Sequence, residues 1–206
     1  MKIEKIDWKP FKEEGLFVLG CDEVGRGCLA GPVMSAAVIL HHHKWDQDLT
    51  DSKKLSESRR QYWSEKIWAE AQVSLGVASV EEIEVLNILQ ASLLSMKRAI
   101  LGLGHAEGKV LIDGNQKIPN LDSKFKQQTF VKGDLRLAPI SAASIVAKVA
   151  RDTFMKELAQ EFPKYGFEIH KGYATALHRK AIVEWGLTPQ HRRTFGNLQE
   201  MSKSKT

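Results

Sequence analysis

The stretch LFVLGCDEVGRGCLAGPVMSAAVIL, residues 16–40, determines how the fold begins. Its two ends, residues 16–21 and 33–40, are short apolar runs of the kind that form buried β-strands. Between them lie an acid pair, Asp22 and Glu23, and a glycine-rich segment whose backbone can turn sharply. The sequence therefore predicts two buried strands joined by a glycine-containing turn, with two carboxylates at the end of the first strand.

Outward from this stretch, the chain alternates between helical and strand patterns. Ser79 and Glu82 have the spacing of a capping box, which predicts one long helix from there to about residue 101. Pro139 favours the start of another helix, through about residue 160. The remaining predicted elements are helices over residues 55–71 and 173–185 and strands over residues 73–80, 109–113 and 128–132. Adjacent strands followed by helix-separated strands predict an α/β domain with a mixed sheet.

Composition is that of an ordinary globular protein. The 206 residues suit one domain, or one domain with a modest extension, and 43% are hydrophobic and 27% charged. No apolar run approaches the roughly 18 residues of a membrane span, and the first 15 residues lack the apolar core of a secretory signal. We therefore expect a cytoplasmic protein. Cys21 and Cys28, the two cysteines, are expected to be buried thiols, because a single pair builds neither a disulfide framework nor a zinc site.

The formal net charge of +5 is unevenly distributed along the chain. The last 36 residues contain seven Lys or Arg against Glu184 and Glu200, so they carry the whole excess, and residues 1–170 are balanced. A basic flank beside a neutral body suits a polyanion such as nucleic acid. Charge alone leaves a second interpretation open, namely a basic tail that is only solvated.

Four acids lie at or just after the ends of predicted strands, namely Asp22, Glu23, Asp113 and Asp134. Burying an acid there costs desolvation free energy, and a hard divalent cation with oxygen ligands is a natural compensation. Neighbouring residues on a regular strand point to opposite faces, so Asp22 and Glu23 can share a site only if the strand bends or ends there. A turn or a helix cap is the common role of such an acid, and position alone does not show that the four converge.

The segment Gly25-Arg26-Gly27 suits close approach to a ligand. Its glycines can bring backbone N–H groups near an anion or a hydroxyl, and Arg26 supplies a planar cation. The segment is not a dinucleotide-binding fingerprint, because the next predicted helix comes only after a second strand, and the chain has no P-loop pattern. The run at residues 41–43, three histidines, is expected to be a solvated turn rather than a metal site.

Four further residues suit contacts with a nucleic-acid backbone. Lys53 lies at a predicted helix start, and Ser144 and Lys148 lie four residues apart on one helix face. Tyr173 is an amphipathic aromatic residue next to cations and suits stacking on a sugar or base. Capping and solvation explain the first three equally well, and half-buried packing explains Tyr173.

Taken together, these segments resemble the ribonuclease HII family over roughly residues 16–195. The matching motifs are GCDEVGRGCLAGPV, LTDSKKLS, LIDGN, VKGD, SAASIVAKVARD, HKGYAT followed by His178, and HRRTF. Each motif is short, and their specificity comes from their number and order. The resemblance implies a ribonuclease H-like fold, with a mixed five-stranded sheet flanked by helices. Residues 1–160 would form the catalytic domain, and residues 161–206 a basic helical extension packed on it, as one functional unit.

The resemblance also implies which residues act. Asp22, Glu23, Asp113 and Asp134 would be the catalytic acids that bind two divalent ions, Mg²⁺ or Mn²⁺. Asp152 is the alternative fourth acid, but VKGD is the family's segment for that ligand, and Asp152 is expected to form a structural pair with Arg151.

Recognition of the substrate is implied in the same way. Gly25, Arg26 and Gly27 would contact the ribose 2′-hydroxyl, the one group that separates RNA from DNA at a given position. Tyr173 would pack on the sugar at the RNA–DNA junction.

The implied reaction is hydrolysis of the RNA strand in RNA–DNA hybrids, or cleavage 5′ of a single ribonucleotide in duplex DNA, leaving a 5′-phosphate and a 3′-hydroxyl. The chain is expected to act as a monomer, without a membrane or an obligate protein partner. Only 21 residues precede Asp22, so the extra N-terminal domain of ribonuclease HIII is not expected. Two other functions stay open: a two-metal nuclease that cuts all-DNA substrates, and a module that binds nucleic acid without catalysis.

Overall fold

The two strands predicted within residues 16–40 lie side by side in a mixed five-stranded sheet. The computed structural model describes residues 4–11, 16–46, 48–196 and 198–203, with no side-chain description for residues 201–203. The strands are β1 (Val18–Val24), β2 (Val33–Leu40), β3 (Ala71–Ala78), β4 (Gly108–Asp113) and β5 (Phe125–Phe130). Their order across the sheet is β3-β2-β1-β4-β5. The β1–β2 and β2–β3 pairs are antiparallel and the β1–β4 and β4–β5 pairs parallel, which confirms the predicted mixed sheet.

Helices cover both faces of this sheet. The helices are α1 (Glu57–Glu70), α2 (Val80–Leu86), α3 (Ile88–Gly102), α4 (Ala138–Glu161), α5 (Phe167–His170), α6 (Ala176–Trp185) and α7 (Leu198–Lys203). Helices α1 and α4 pack on one face, against a cluster that includes Val38 and Leu111. Helix α3 packs on the other face, against Cys21 and Ile112. The alternation of apolar residues between the two faces is the period of two that a strand imposes. Among the described residues, no helix is long and apolar enough to cross a membrane.

The predicted long helix after Ser79 is broken into two. The capping box is present, with Glu82 N–H donating to Ser79 Oγ at 3.2 Å and Ser79 N–H donating to the Glu82 carboxylate at 2.9 Å. The break lies at Asn87, whose φ is 68°. Its side-chain oxygen accepts from the N–H groups of Leu89 and Gln90 and caps α3. An asparagine that competes with the helix for backbone hydrogen bonds therefore divides α2 from α3.

The C-terminal helices pack against the segment that joins β1 to β2. Isolated β-bridges pair Cys28 with Tyr173 and Ala30 with His191. Leu29 packs with Ile182 and Leu198 in a small apolar cluster. Both cysteines are free and buried, as the sequence predicts. The predicted helix over residues 173–185 begins only at Ala176, so Tyr173 lies in the loop before it.

One contact fixes α4 against β1. A Cβ built on Gly20 would lie 2.1 Å from the carbonyl carbon of Pro139 and 2.4 Å from the amide nitrogen of Ile140. These atoms belong to the backbone and cannot move aside as a flexible side chain can. Only glycine lets the strand and the helix approach this closely, which makes Gly20 part of the packing between the two elements.

We expect Gly20→Ala to lower the free energy of unfolding by about 3 kcal/mol, the upper end of the usual cost of overpacking. Gly27→Ala is the matched control, because a Cβ there would have no heavy atom within 4 Å, and its change should stay within about 0.5 kcal/mol. Urea-induced unfolding measures both. Equal unfolding midpoints for Gly20→Ala and the wild type would contradict the contact.

Candidate active site

Asp22 and Glu23 lie on opposite faces at one end of the sheet. Strand β1 continues to Val24, and the two acids pair in register with Ala36 and Ser35 of β2. The strand thus ends one residue beyond the acids, which is the condition under which the two can share a site. Asp22 faces α4, where Ser144 lowers its pKa against the larger effect of burial. Glu23 borders a cavity beside α3. Both side chains still reach a common cavity, because the sheet ends just beyond them.

Asp113 and Asp134 approach from the neighbouring strands. Asp113 is the last residue of β4, the parallel neighbour of β1. Asp134 lies in a short 3-10 helix, Gly133–Leu135, that follows β5. The backbone N–H of Gly133 donates to Asp113 Oδ1 at 2.7 Å, and that of Asp134 approaches the same oxygen at 3.4 Å. The loop after β5 thus folds over Asp113 and brings the two acids together.

One cavity of about 90 Å³ collects most of the residues singled out in the sequence. Its lining includes Asp22, Glu23, Asp113, Asp134, Lys53, Ser144, Lys148 and Tyr173. Arg26 lies next to it, with Nη1 3.2 Å from Glu23 Oε1 and with half of its side chain exposed. A second cavity of about 200 Å³, on the α3 side, shares Glu23 and Asp113 with the first and is bordered by Arg26. The structure therefore brings the four acids together with the four predicted contact residues and places the glycine loop beside them.

The carboxylates of this cluster disfavour one another's ionised forms. Burial, followed by the charges of Glu23 and Asp113, raises the pKa of Asp22 well above its usual value. Burial also raises the pKa of Glu23, against the opposing effect of Arg26. The pKa of Asp134 is raised by burial and by Asp113. Buried acids whose ionised forms are disfavoured in this way need a compensating cation.

The donor set fits a hard divalent cation. Four carboxylates offer only oxygen atoms, the ligands that Mg²⁺ and Mn²⁺ prefer, and they surround a cavity a few water molecules in size. Lys53 lies in the same cavity, and the acids affect its pKa. Burial opposes its charge, but Asp51, Asp134 and Asp22 together raise its pKa.

A different group also has metal-ligand geometry, because single ligand atoms of Asp7, His43 and Asp46 lie within 4.8 Å of one another. There the Asp46 carboxylate already accepts from the indole N–H of Trp8 at 2.8 Å and lies 2.9 Å from His43 Nδ1. These hydrogen bonds account for the arrangement. The predicted solvated turn at residues 41–43 does not describe His43, whose side chain is 21% exposed and stacks on Trp8.

Asp152, the alternative fourth acid, lies outside the cavity lining. Its carboxylate pairs with Lys148 at 2.7 Å, and Lys148 Nζ is also 5.6 Å from the centre of the Tyr173 ring. The expected structural pair between Asp152 and Arg151 is wrong. The guanidinium of Arg151 instead donates to three backbone carbonyls, those of Ala30, Pro32 and Lys171.

Arg151 and Arg192 hold the loops beside the cavity in place, and the sequence does not predict this role for either residue. Both are fully buried. Arg192 donates to the carbonyls of Gly31 and Arg26. Gly25, with φ of 96°, packs so closely on Arg151 that a Cβ would lie 2.3 Å from its Nε. Both guanidinium groups therefore hold the glycine loop in place, and Arg151 also holds the loop before Tyr173.

Burial of Arg192 changes the interpretation of the basic C-terminal segment. The sequence counts this residue among the cations of a polyanion-binding flank, but its side chain is 0% exposed and bonded to backbone. Lys205, counted with it, lies outside the described residues. Fewer cations of this segment are thus available to nucleic acid than the sequence indicates.

A mixed sheet in the order β3-β2-β1-β4-β5, with helices on both faces and carboxylates at the ends of its central strands, defines the ribonuclease H-like class of α/β proteins. Ribonuclease HII of Archaeoglobus fulgidus, solved in complex with PCNA, matches with a TM-score of 0.76 and 26% identity, over 88% of this chain and 96% of that chain. Bst-RNase HIII in complex with Mn²⁺ matches with a TM-score of 0.76 over 91% of this chain and 70% of that chain. At 19% identity, this second likeness concerns the fold alone.

Sequence comparison identifies the family within this class. The model of the ribonuclease HII family matches residues 19–198. Ribonuclease HII of Paracoccus denitrificans is 49% identical over 185 residues, which are 90% of this chain and 87% of the relative. The chain belongs to the ribonuclease HII family, and it is therefore a metal-dependent endonuclease. This confirms the resemblance drawn from the motifs.

We expect Asp22→Asn to stabilise the protein in EDTA at pH 7, by roughly 2–4 °C in melting temperature, the shift that about 1 kcal/mol causes in a domain of this size. The raised pKa of Asp22 means that its stabilising contribution is complete below about pH 4 and is lost as the pH rises through the raised value. The gain should therefore be absent near pH 3 and appear as the pH rises.

The control for this measurement is Asp152→Asn, which removes a half of the pair with Lys148 and should lower the melting temperature at pH 7. Thermal unfolding followed by circular dichroism from pH 3 to pH 8 compares the variants. A lower melting temperature for Asp22→Asn than for the wild type at pH 7 would rule out the proposed repulsion.

Proposed function

We propose that this chain hydrolyses the RNA strand of RNA–DNA hybrids and cuts duplex DNA on the 5′ side of a single embedded ribonucleotide. The products would carry a 5′-phosphate and a 3′-hydroxyl. The observation that supports this most strongly is that four carboxylates and a partly exposed tyrosine line one small cavity, with the glycine loop beside it. Membership of the ribonuclease HII family is consistent with each part.

Asp22, Glu23, Asp113 and Asp134 would hold the divalent ions, two in the working complex and either Mg²⁺ or Mn²⁺. When bound, such ions supply a water activated for attack on the phosphate and neutralise charge on the leaving oxygen. The protein contributes rigid placement of the acids. The loop after β5 holds Asp113 through the Gly133 N–H, and the Glu23 N–H donates to Asp22 Oδ1 at 2.7 Å. Positions fixed before substrate arrives leave less reorganisation for the reaction itself.

Recognition of the ribose would fall to Gly25, Arg26 and Gly27. A Cβ at Gly27 would meet no heavy atom within 4 Å, so its backbone is open to a ligand. Backbone groups can bind a 2′-hydroxyl without contacting the base, which gives discrimination of RNA from DNA at any sequence. Arg26 forms an ion pair with Glu23 and remains half exposed. Its guanidinium can therefore bind a phosphate beside the cleaved bond.

Tyr173 would pack on the sugar at the junction, and three further residues would contact the strand. The Tyr173 ring is 36% exposed and borders the cavity together with Lys53, Ser144 and Lys148. Lys53 is the best placed of these for a phosphate, because the Ser144 hydroxyl already bonds to that of Ser52 and Lys148 to Asp152. Such backbone contacts hold the substrate without reading its sequence.

In this proposal residues 1–160 and 161–206 act as one unit, a monomer in the cytoplasm without an obligate protein partner. The bridges of Tyr173 to Cys28 and of His191 to Ala30 support a joint site. A binding module without catalysis is the second candidate. It is disfavoured because buried carboxylates repel the phosphates that such a module must hold.

The decisive assay compares a DNA duplex that contains one ribonucleotide, the same duplex in all-DNA form and an RNA–DNA hybrid, each with Mg²⁺ or with EDTA. We expect cleavage 5′ of the ribonucleotide and within the RNA strand, only with Mg²⁺, and an intact all-DNA duplex. Asp113→Asn should lower the rate by at least about 1,000-fold, the scale on which catalytic groups act, while folding and binding are largely retained.

Asp134→Asn and Asp152→Asn form the matched pair for the fourth acid, and the first should lose far more activity than the second. Cleavage of the all-DNA duplex would instead indicate another two-metal nuclease. Salt-sensitive binding with no hydrolysis would indicate a binding module. Retained hydrolysis in Asp113→Asn would contradict the proposed acids.

A further inference from the structure

Three histidines form a buried stack behind the Tyr173 loop, outside the lining of the cavity. His170, His178 and His191 are 6%, 0% and 1% exposed. The ring centres of His170 and His178 are 4.2 Å apart, and those of His178 and His191 are 5.2 Å apart. They join α5, α6 and the segment after α6. Nothing in the proposed chemistry uses them.

The hydrogen bonds of this stack determine where each proton lies. The backbone N–H of Thr188 donates to His191 Nδ1 at 2.9 Å. A backbone N–H can only donate, so Nδ1 of His191 is unprotonated and its proton is on Nε2. That Nε2 lies 3.1 Å from Nε2 of His178, which must accept.

The proton of His178 is consequently on Nδ1, 2.9 Å from the carbonyl oxygen of Tyr173, to which it donates. A directed chain of hydrogen bonds therefore runs from Thr188 through His191 and His178 to the backbone of Tyr173. Reversal at any one step would leave two donors or two acceptors facing each other.

His170 braces the same loop from the other side. Its Nδ1 accepts from the N–H of Gly172 at 3.1 Å, so its Nε2 donates to the carbonyl of Tyr165 at 2.7 Å. The loop needs this support, because Lys171, which is not a glycine, has φ of 52°. Residues in the left-handed region persist where the surroundings over-determine them.

The stack is neutral at physiological pH. Burial lowers the pKa of His178 to about 4. Burial and the neighbouring His178 lower the pKa of His191 to about 3. Each ring therefore keeps one donor and one acceptor, which the directed chain requires.

We propose that His178 and His191 are positioning residues, which fix the backbone at Tyr173 and thereby orient its ring toward the sugar of the substrate. The proposal rests on the function proposed above for Tyr173. It gives the C-terminal segment a specific role in catalysis, since Thr188 and His191 set the geometry of a residue at the cavity.

The first test is independent of activity. Nuclear magnetic resonance of the protein with ¹⁵N-labelled histidines distinguishes the Nδ1–H from the Nε2–H tautomer, and the variants His178→Asn and His191→Asn assign the signals. At pH 7 we expect the Nδ1–H tautomer for His178 and the Nε2–H tautomer for His191. The opposite tautomer in His178, or a protonated ring, would overturn the proposal.

The second test uses cleavage of the single-ribonucleotide duplex. His178→Phe keeps the ring but removes the donor to Tyr173, and kcat/KM should fall about tenfold, the effect of one lost hydrogen bond. His178→Asn places an amide N–H where Nδ1 lies and should recover most of the rate. A merely structural role predicts no such recovery. Thermal unfolding of each variant confirms that it is folded at the assay temperature.

A double variant decides whether His178 acts through Tyr173. In the Tyr173→Ala background, His178→Phe should have no further effect, because the ring that it positions is gone. The same tenfold loss in both backgrounds would overturn the proposal. If Tyr173→Ala alone cleaves as fast as the wild type, the proposed role of Tyr173 fails, and the positioning role fails with it even when the tautomers are as assigned.

Discussion

Gly20 allows the backbone of β1 to touch the backbone of α4, and the geometry of the site follows from that contact. A side chain at this position would overlap the carbonyl group of Pro139. With the first turn of α4 held there, Ser144 lines the same cavity as Asp22, two residues along β1 from Gly20. The hydroxyl of Ser141, on the same helix, also bonds the Asp134 carbonyl at 2.6 Å. Close packing at a glycine is thus what brings acids from two different strands and a loop into one cavity.

The same packing has an electrostatic cost. Burial and like charge raise the pKa values of Asp22 and Asp134, so their ionised forms weaken the fold at neutral pH. Opposite charge near the acids comes from Arg26, beside Glu23, and from Lys53, beside Asp134. The fully buried guanidinium groups of Arg151 and Arg192 hydrogen bond to backbone carbonyls, and they hold the loops that border the cavity. Without cations, the ionised carboxylates of this site destabilise the fold. Because the loops around them are already fixed, the site favours binding of a cation together with a polyanion.

The sequence predicts the sheet and its acids well, because their signals are local. The strands within residues 16–40 and the capping box at Ser79 rest on short apolar runs and on one side-chain spacing, and both are present. The break at Asn87 was missed because the apolar period continues across it, and only the left-handed backbone reveals it. The extension of β1 to Val24 was missed because pairing with β2, rather than apolar character, keeps the acids in the strand.

The supports of the site escaped prediction for a related physical reason. The sequence does not distinguish a buried arginine that is hydrogen bonded to carbonyls from a solvated one. Arg192 is therefore predicted to belong to a basic flank. Its burial depends on Gly31 and Arg26, more than 160 residues away in the chain. The histidine chain likewise requires Thr188 and Tyr173 to meet across α6. Long-range contacts of this kind leave no periodic trace in the sequence.

The four carboxylates are proposed to hold divalent cations. Anomalous X-ray scattering from crystals grown with Mn²⁺ locates the ion independently of any assumption about its ligands. We expect an anomalous peak bonded to oxygens of Asp22, Glu23, Asp113 and Asp134. The absence of a peak among these acids, with Mn²⁺ bound instead at Asp7, His43 and Asp46, would contradict it.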